Sequence, residues 1–510
     1  MLRLARVVAS AMACAAMAAF AAGQPEGAGA APPGIRIFFE AASTDASVAT
    51  PALEALAAGW RDGYAGMIVD LARFMRSPRR ARPSDAAEAA GAPDDALGGA
   101  DGLRGGAGSG FPPHAAPPDP TSLVRVRLTR FLEKRTGQRF GDDLGAWRRW
   151  IWSRPYEPHP DLAAFKATLY AAVDPRMAEF FSAAEGAAIR LDEIDWGGVG
   201  VNGIPPLDHP GVVAAADASW LDDKHVVFGL ALGGEARAYP KRILAWHELA
   251  RDRLGGVELS IVYCTLCGTV VPYESLAGGV VRRFGTSGLL YRSNKLLFDE
   301  ESKSLWSTAD GRPVVGPLAG SGLELAAHPV VTTTWGEWRR RHPETTVLGI
   351  ETGFRRDYRE GAAYRDYFGT QRLMFEIPRS DGRLKNKDEV LALLLRPPGA
   401  GELAPRQALA LDLAFLRKRP LHQRRFAGRD LVILTSRSGA NRVYESSLAF
   451  SSFDGDEALV DRQGGRWRVT EKELVPPEGS GSPAAPRLPA RRAFWFGWHA
   501  QFPDTELVRE

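Results

Sequence analysis

Part of this chain is written twice, and nothing else in it constrains the fold as strongly. Trp335-Gly336-Glu337-Trp338, then His342-Pro343-Glu344-Thr345 and Val347-Leu348, returns as Trp495-Phe496-Gly497-Trp498, then Phe502-Pro503-Asp504-Thr505 and Leu507-Val508, at a constant offset of 160. Upstream, Trp306 with Asp310-Gly311 answers Trp467 with Gly464-Gly465, each a tight-hairpin signal, and Tyr273-Glu274 answers Tyr444-Glu445. Glu258-Leu259-Ser260-Ile261-Val262 answers Asp430-Leu431-Val432-Ile433-Leu434, Gly268 answers Gly439 after one gap, and Pro240 is matched with Pro405. Ordered agreement at rare residues predicts two copies of one unit, over 225–348 and 389–508, arranged as a pseudo-symmetric pair. Short apolar runs such as Val226–Leu232, Val257–Tyr263, Thr269–Tyr273 and Leu289–Phe298, bounded by Gly, Pro and Asp, make the units β-rich. The paired tryptophans at i and i+3 read as packing groups.

Ahead of the copies the periodicity is helical. Leu53, Leu56, Trp60, Ile68, Leu71 and Phe74 predict a small helical element over 36–76, and Val124, Leu128, Phe131, Leu162, Phe165 and Leu169 predict a second helical region over 121–190. Between them, 26 of the 40 residues from 81 to 120 are Ala, Gly or Pro, too few large apolar groups to offset the entropy of ordering, so this span reads as a disordered linker. Gly197-Gly198, Gly203, Pro205-Pro206 and Pro210 interrupt any long element and predict an extended arm over 191–224. The fold class is α+β: a helical N-terminal region followed by duplicated β-rich units.

Arg3 and Arg6, an apolar run from Val7 to Phe20 and the small-residue site Ala19-Phe20-Ala21 predict a secretory signal peptide over 1–21. The expected location is periplasmic or secreted. The run is too short for a membrane span, and no later stretch reaches the roughly 18 to 20 apolar residues that a bilayer requires. With 64 basic and 61 acidic residues the net charge is +3, so no strong field points to nucleic acid. Cys14 lacks the flanking residues of a lipidated cysteine, and loss of the signal leaves only Cys264 and Cys267, in an oxidising compartment.

If shared residues specify structure, function belongs where the copies differ. Copy one has Cys264-Thr265-Leu266-Cys267-Gly268 where copy two has Ser436-Arg437-Ser438-Gly439. Copy one also has His247-Glu248, against Asp412-Leu413 by the Pro240 register, and a longer loop from Phe284 to Asn294. Three readings of the cysteine pair stay open. Thioredoxin-like exchange would need a helix after the motif, and Gly268-Thr269-Val270-Val271-Pro272 is strand-like. C-x-x-C-G between strands resembles a metal knuckle for zinc or copper, with His247, Glu248 or His328 completing the shell. The third reading is an inert disulfide across the turn.

The preferred expectation is an exported binding protein whose first copy holds a site built on Cys264, Cys267, His247 and Glu248. An enzyme using Ser287, Tyr291, Arg292 and Asn294 on a small substrate is an alternative, as is a structural envelope protein that binds a partner. Whether the chain is an enzyme stays open, and so does the choice among a small molecule, a metal ion and an envelope protein as partner.

Asn202-Gly203-Ile204-Pro205-Pro206-Leu207, Trp246-His247-Glu248, Tyr263-Cys264-Thr265-Leu266-Cys267-Gly268-Thr269, Phe284-Gly285-Thr286-Ser287-Gly288-Leu289-Leu290 and Ser304-Leu305-Trp306 resemble the bacterial domain of unknown function numbered 3179. The resemblance covers about 200–510 and implies a long member with its own helical N-terminal extension in an envelope or secreted setting. It implies no reaction, cofactor or catalytic residue.

Overall fold

The computed structural model describes residues 32–75, 77, 119–184, 186–401 and 403–510. The expected signal peptide over 1–21 and nearly all of the expected linker over 81–120 lie outside these residues. The chain divides into two compact units, residues 1–185 with 190–193, and residues 186–189 with 194–510.

The first unit is helical. The region expected to be one helical element contains three helices, Ile35–Ala41, Ala46–Ala58 and Ala65–Phe74, followed by Pro120–Thr136, Leu144–Trp152 and Leu162–Ala171. Aspartates set several of the starts, as the Asp45 carboxylate accepts from Ser47 N, that of Asp119 from Thr121 N and that of Asp143 from Ala146 N. Asp119 and Pro120, assigned above to the linker, therefore form the cap and first turn of a helix. Phe38, Leu56, Ile68, Leu71, Leu128, Trp147 and Phe165 are buried on the apolar faces. Lys166 is enclosed with them and pairs with Asp70 at 2.6 Å.

The second unit is β-rich, with several sheets. One sheet runs Val331–Thr334, Val226–Leu232, Glu235–Pro240, Thr346–Leu348, with antiparallel, antiparallel and parallel neighbours. Another runs Arg491–Phe494, Glu389–Leu395, Gln407–Asp412, Glu506–Val508, with the same sequence of orientations. A meander of Leu249–Leu254, Val257–Cys264 and Thr269–Glu274 follows in the first span, and one of Leu421–Phe426, Arg429–Thr435 and Asn441–Glu445 in the second. Side-chain bonds recur with the strands. Trp338 Nε1 donates to Thr345 Oγ1 and Trp498 Nε1 to Thr505 Oγ1, both at 2.9 Å. Trp306 and Trp467 each donate to an aspartate, Asp299 and Asp461, at 2.7 and 2.9 Å.

Two readings of the sequence need correction. Pro240 closes its strand and precedes the helix Lys241–His247, and the residue in that place in the second span is Asp412, ahead of Leu413–Lys418. The Pro405 match was out of register, so Arg419 and Pro420, rather than Asp412 and Leu413, stand where the first span has His247 and Glu248. The run 284–298 is a hairpin, not a loop followed by a strand: Phe284–Tyr291 pairs with Asn294–Asp299 across Arg292 and Ser293. Both turn residues have positive φ, 48° and 63°, matching the right-handed twist of the strands. The expected arm contributes three short strands, Ile194–Trp196, Leu207–Asp208 and Val212–Ala214, each added to the edge of a different sheet.

Candidate functional site

Strand Val257–Cys264 ends at the first cysteine, and the chain turns so that Cys267 N donates to Cys264 O at 3.1 Å. Gly268 completes the turn at φ 62°, and a Cβ there would also meet the Phe494 ring at 3.1 Å, so the position demands glycine. Both sulfurs are enclosed, Cys264 at 4% and Cys267 at 1% exposure, and they are free thiols; the disulfide reading is not the state of this structure.

Cys267 Sγ donates to Asn294 Oδ1 at 2.9 Å, and Asn294 Nδ2 donates to Gly497 O at 3.1 Å. Behind the turn, Lys295 forms a buried ion pair with Glu248, whose other oxygen accepts from Tyr364 OH at 3.4 Å. These neighbours make the thiols unlike. Burial raises both, but the Cys267 thiol, the Lys295 amide and the Lys295 charge hold Cys264 below the ordinary thiol value. Burial, followed by the hydrogen bond and charge of Cys264, holds Cys267 well above it. Two groups that share a proton this closely titrate as a pair.

A cavity of about 10 Å³, room for one water-sized occupant, lies beside Cys264 and is lined in part by Val271, Asn294, Ala309 and Gly497. The second span clarifies its origin. Registers place Ser436 and Ser438 where the first span has Cys264 and Cys267, and both hydroxyls donate to the Glu337 carboxylate. Arg442 donates to Glu337 Oε1 at 3.0 Å and to Glu471 Oε1 at 2.8 Å, and Arg487 also binds Glu471. Although burial alone would raise it, the Glu337 carboxyl is held below its usual range by Arg442 and the two serines. Val271 of the first span stands in the place of Arg442 and Ala309 in that of Glu471, while Gly497 of the second span stands in the place of Glu337 of the first. One turn thus points its two hydroxyls at a carboxylate, whereas at the other Gly497 lies against Cys267 and shares the lining of the cavity with Cys264.

His247 is not brought to the thiols. Its Nδ1 donates to Pro205 O at 2.9 Å, which leaves Nε2 to accept from Tyr358 OH at 2.5 Å, and Tyr358 OH also bonds Thr352 Oγ1. Burial, with the Arg356 charge adding to it, lowers the imidazole from 6.5 to about 4. Glu248 is taken by Lys295, and His328 Nε2 faces Glu274 at 3.6 Å. Among the described residues no group of three or more His, Cys, Asp or Glu side chains could hold a metal ion. Ser287 is wholly buried and donates to Leu296 O at 2.6 Å, a structural bond. Arg292 donates to Ala500 O and Tyr291 O accepts from Gln501, so the hairpin tip clamps helix Trp495–Gln501. Of the loop residues singled out by sequence, only Asn294 touches a thiol. Lys295, Gly497 and Glu337 were missed, although the last two sit inside the repeated Trp-x-x-Trp motif, where the Glu-to-Gly difference was legible.

A family model described as protein of unknown function, DUF3179, matches residues 201–505. No curated protein and no solved structure matches the chain.

Proposed function

The chain belongs to the DUF3179 family, whose description assigns no activity, and we propose from its own site that it is an exported binding protein made of two copies of one unit, the first of which uses Cys264 and Cys267 to hold Cu(I). The observation that carries this reading is the exchange of Glu337 for Gly497. Where the serine turn is closed by a carboxylate, the cysteine turn has Cys264 in the wall of an ion-sized cavity lined also by Val271, Ala309 and Gly497, with Asn294 and Arg491 among its polar members. Two thiolates in mainly apolar surroundings suit a soft d¹⁰ ion of low coordination number, whereas structural zinc wants four ligands. Cu(I) is therefore preferred to zinc, and neither His247 nor Glu248 is needed. Binding releases the thiol protons, and Cys264, already held low, gives up the first most easily.

The test is anaerobic Cu(I) titration of the reduced, full mature chain against a chromophoric chelator. One ion per chain with two sulfur neighbours by X-ray absorption is the expected result, and Cys264→Ser with Cys267→Ser should abolish binding while leaving the circular dichroism unchanged. Failure of the wild type to compete, or retention of copper by the double variant, sinks the reading. Export is checked separately, by fractionation and N-terminal sequencing for cleavage after Ala21.

A second reading, reversible dithiol–disulfide exchange, is favoured by the unlike thiols. It predicts a defined potential in glutathione buffers and a disulfide that forms without loss of the fold.

A further inference from the structure

Next to the thiol cavity lies a larger cleft of about 370 Å³, within the size range of small-molecule sites. Its apolar lining includes Val271, Leu325, Val330, Leu394 and Leu488, and its charged lining is four arginines and one carboxylate, Glu324. Arg396 and Arg406, with Arg312 outside the cleft, all pair with the one carboxylate of Glu324. Arg429 pairs with Glu445 at 2.6 Å. Arg491 differs from these, since it makes no ion pair among the described residues. Its guanidinium reaches only Tyr273 OH, at 3.4 Å, and the face of Trp498, 5.6 Å from the ring centroid. Arg491 and Val271 line both this cleft and the cavity beside Cys264. His328 also lines the cleft, with its Nε2 turned to Glu274 Oε2 at 3.6 Å.

We propose that this cleft binds a small organic carboxylate with an apolar body, its carboxylate on Arg491 and its hydrocarbon against Val271, Leu325 and Leu394. The planar guanidinium fork matches a carboxylate in two parallel hydrogen bonds. The Glu324 carboxylate displays that pairing, with Arg396 Nη1 on Oε1 at 3.3 Å and Arg396 Nη2 on Oε2. An inorganic anion would satisfy Arg491 but leave the apolar lining uncovered, so hydrocarbon content is what separates the proposed ligand class from phosphate. The site does not depend on copper: no thiol contacts the ligand in this arrangement.

The experiment is calorimetric titration of the full mature chain with hexanoate, phenylacetate, acetate and inorganic phosphate at one ionic strength. Hexanoate or phenylacetate should bind at least tenfold more tightly than acetate or phosphate. Arg491→Gln should weaken that binding tenfold or more, and Ala400→Trp, a change at an exposed residue of the cleft wall, should block it without touching the charged cluster. Cys264→Ser with Cys267→Ser should leave it unchanged, which separates this site from the copper reading. The proposal is overturned if neither hydrophobic acid binds, if phosphate or acetate binds as well, or if both Arg491→Gln and Ala400→Trp bind like the wild type.

Discussion

Gly497 lies so close under Cys267 that a Cβ on the glycine would stand 3.1 Å from the cysteine Cβ and 3.5 Å from its sulfur. That approach joins the helix of the second span to the thiol turn of the first. It also explains how a cavity survives in a densely packed interior, because the residue that would fill it has no side chain.

Gly497→Ala tests this contact. Alanine favours the helix by about 1 kcal/mol, but forcing the turn to shift costs about 1–3 kcal/mol. A net loss of about 1 kcal/mol in urea denaturation is expected from these opposing terms, with Cu(I) affinity reduced at least tenfold. Gly497→Glu, which rebuilds the arrangement at Glu337, should eliminate copper binding; undiminished affinity in either variant would remove the cavity from the argument.

The two thiols should titrate as one pair in two well-separated steps. With ¹³Cβ-labelled cysteine, the first step is expected below the ordinary thiol range, carried mainly by the Cys264 resonance, and the second above it, carried mainly by that of Cys267. Cys264→Ser removes the neighbour that raises Cys267, so the remaining thiol should move down yet stay above the ordinary value because burial persists. Equal, unperturbed titrations would contradict the geometry of the turn.

His247 makes stability depend on acid. Its folded value is about 4 and its unfolded value 6.5, so the unfolded chain binds the extra proton and stability falls as pH drops from 6.5 towards 4. The loss approaches about 3 kcal/mol and then levels off. His247→Gln should flatten this part of the stability–pH curve, and an unchanged slope between those values would assign the effect to another group.

Thr345→Val and Thr505→Val should cost nearly the same. Each leaves a buried indole N–H, of Trp338 or Trp498, without its acceptor, a penalty of about 1–3 kcal/mol. Chemical denaturation of the two variants reads the match directly, and values far apart would mean that the two helices are packed by different rules.

Much of this architecture was legible because the repeated residues are those whose geometry is local: tryptophans tied to a threonine seven positions on, glycines in tight turns, alternation in strands. The Pro405 match misled because proline marks an element's end only where the chain actually turns, and in the second span an aspartate caps the helix instead. The run 284–298 misled because Arg292 and Ser293 are not typical residues of a primed turn. For the site, the cysteine turn and Asn294 could be found, whereas His247 was assigned by chemistry alone. Its real partners, Pro205 and Tyr358, are 42 and 111 residues distant, and although Pro205 lies in the Asn202–Leu207 motif, nothing in that motif signals a bond to a histidine. Gly497 signals nothing by itself; only the twin's Glu337 shows what its absence of a side chain means.

The bond from Asn294 to Gly497 spans 203 residues of sequence. The Cys264–Cys267 turn is closed by a bond between neighbours in sequence, whereas its cover has to be brought in by closing this long loop, so the local turn is the cheaper of the two to form. In a chain folding after export, copper or an oxidant meets the thiols most easily before the helix Trp495–Gln501 docks, and the docked helix then shields the state reached.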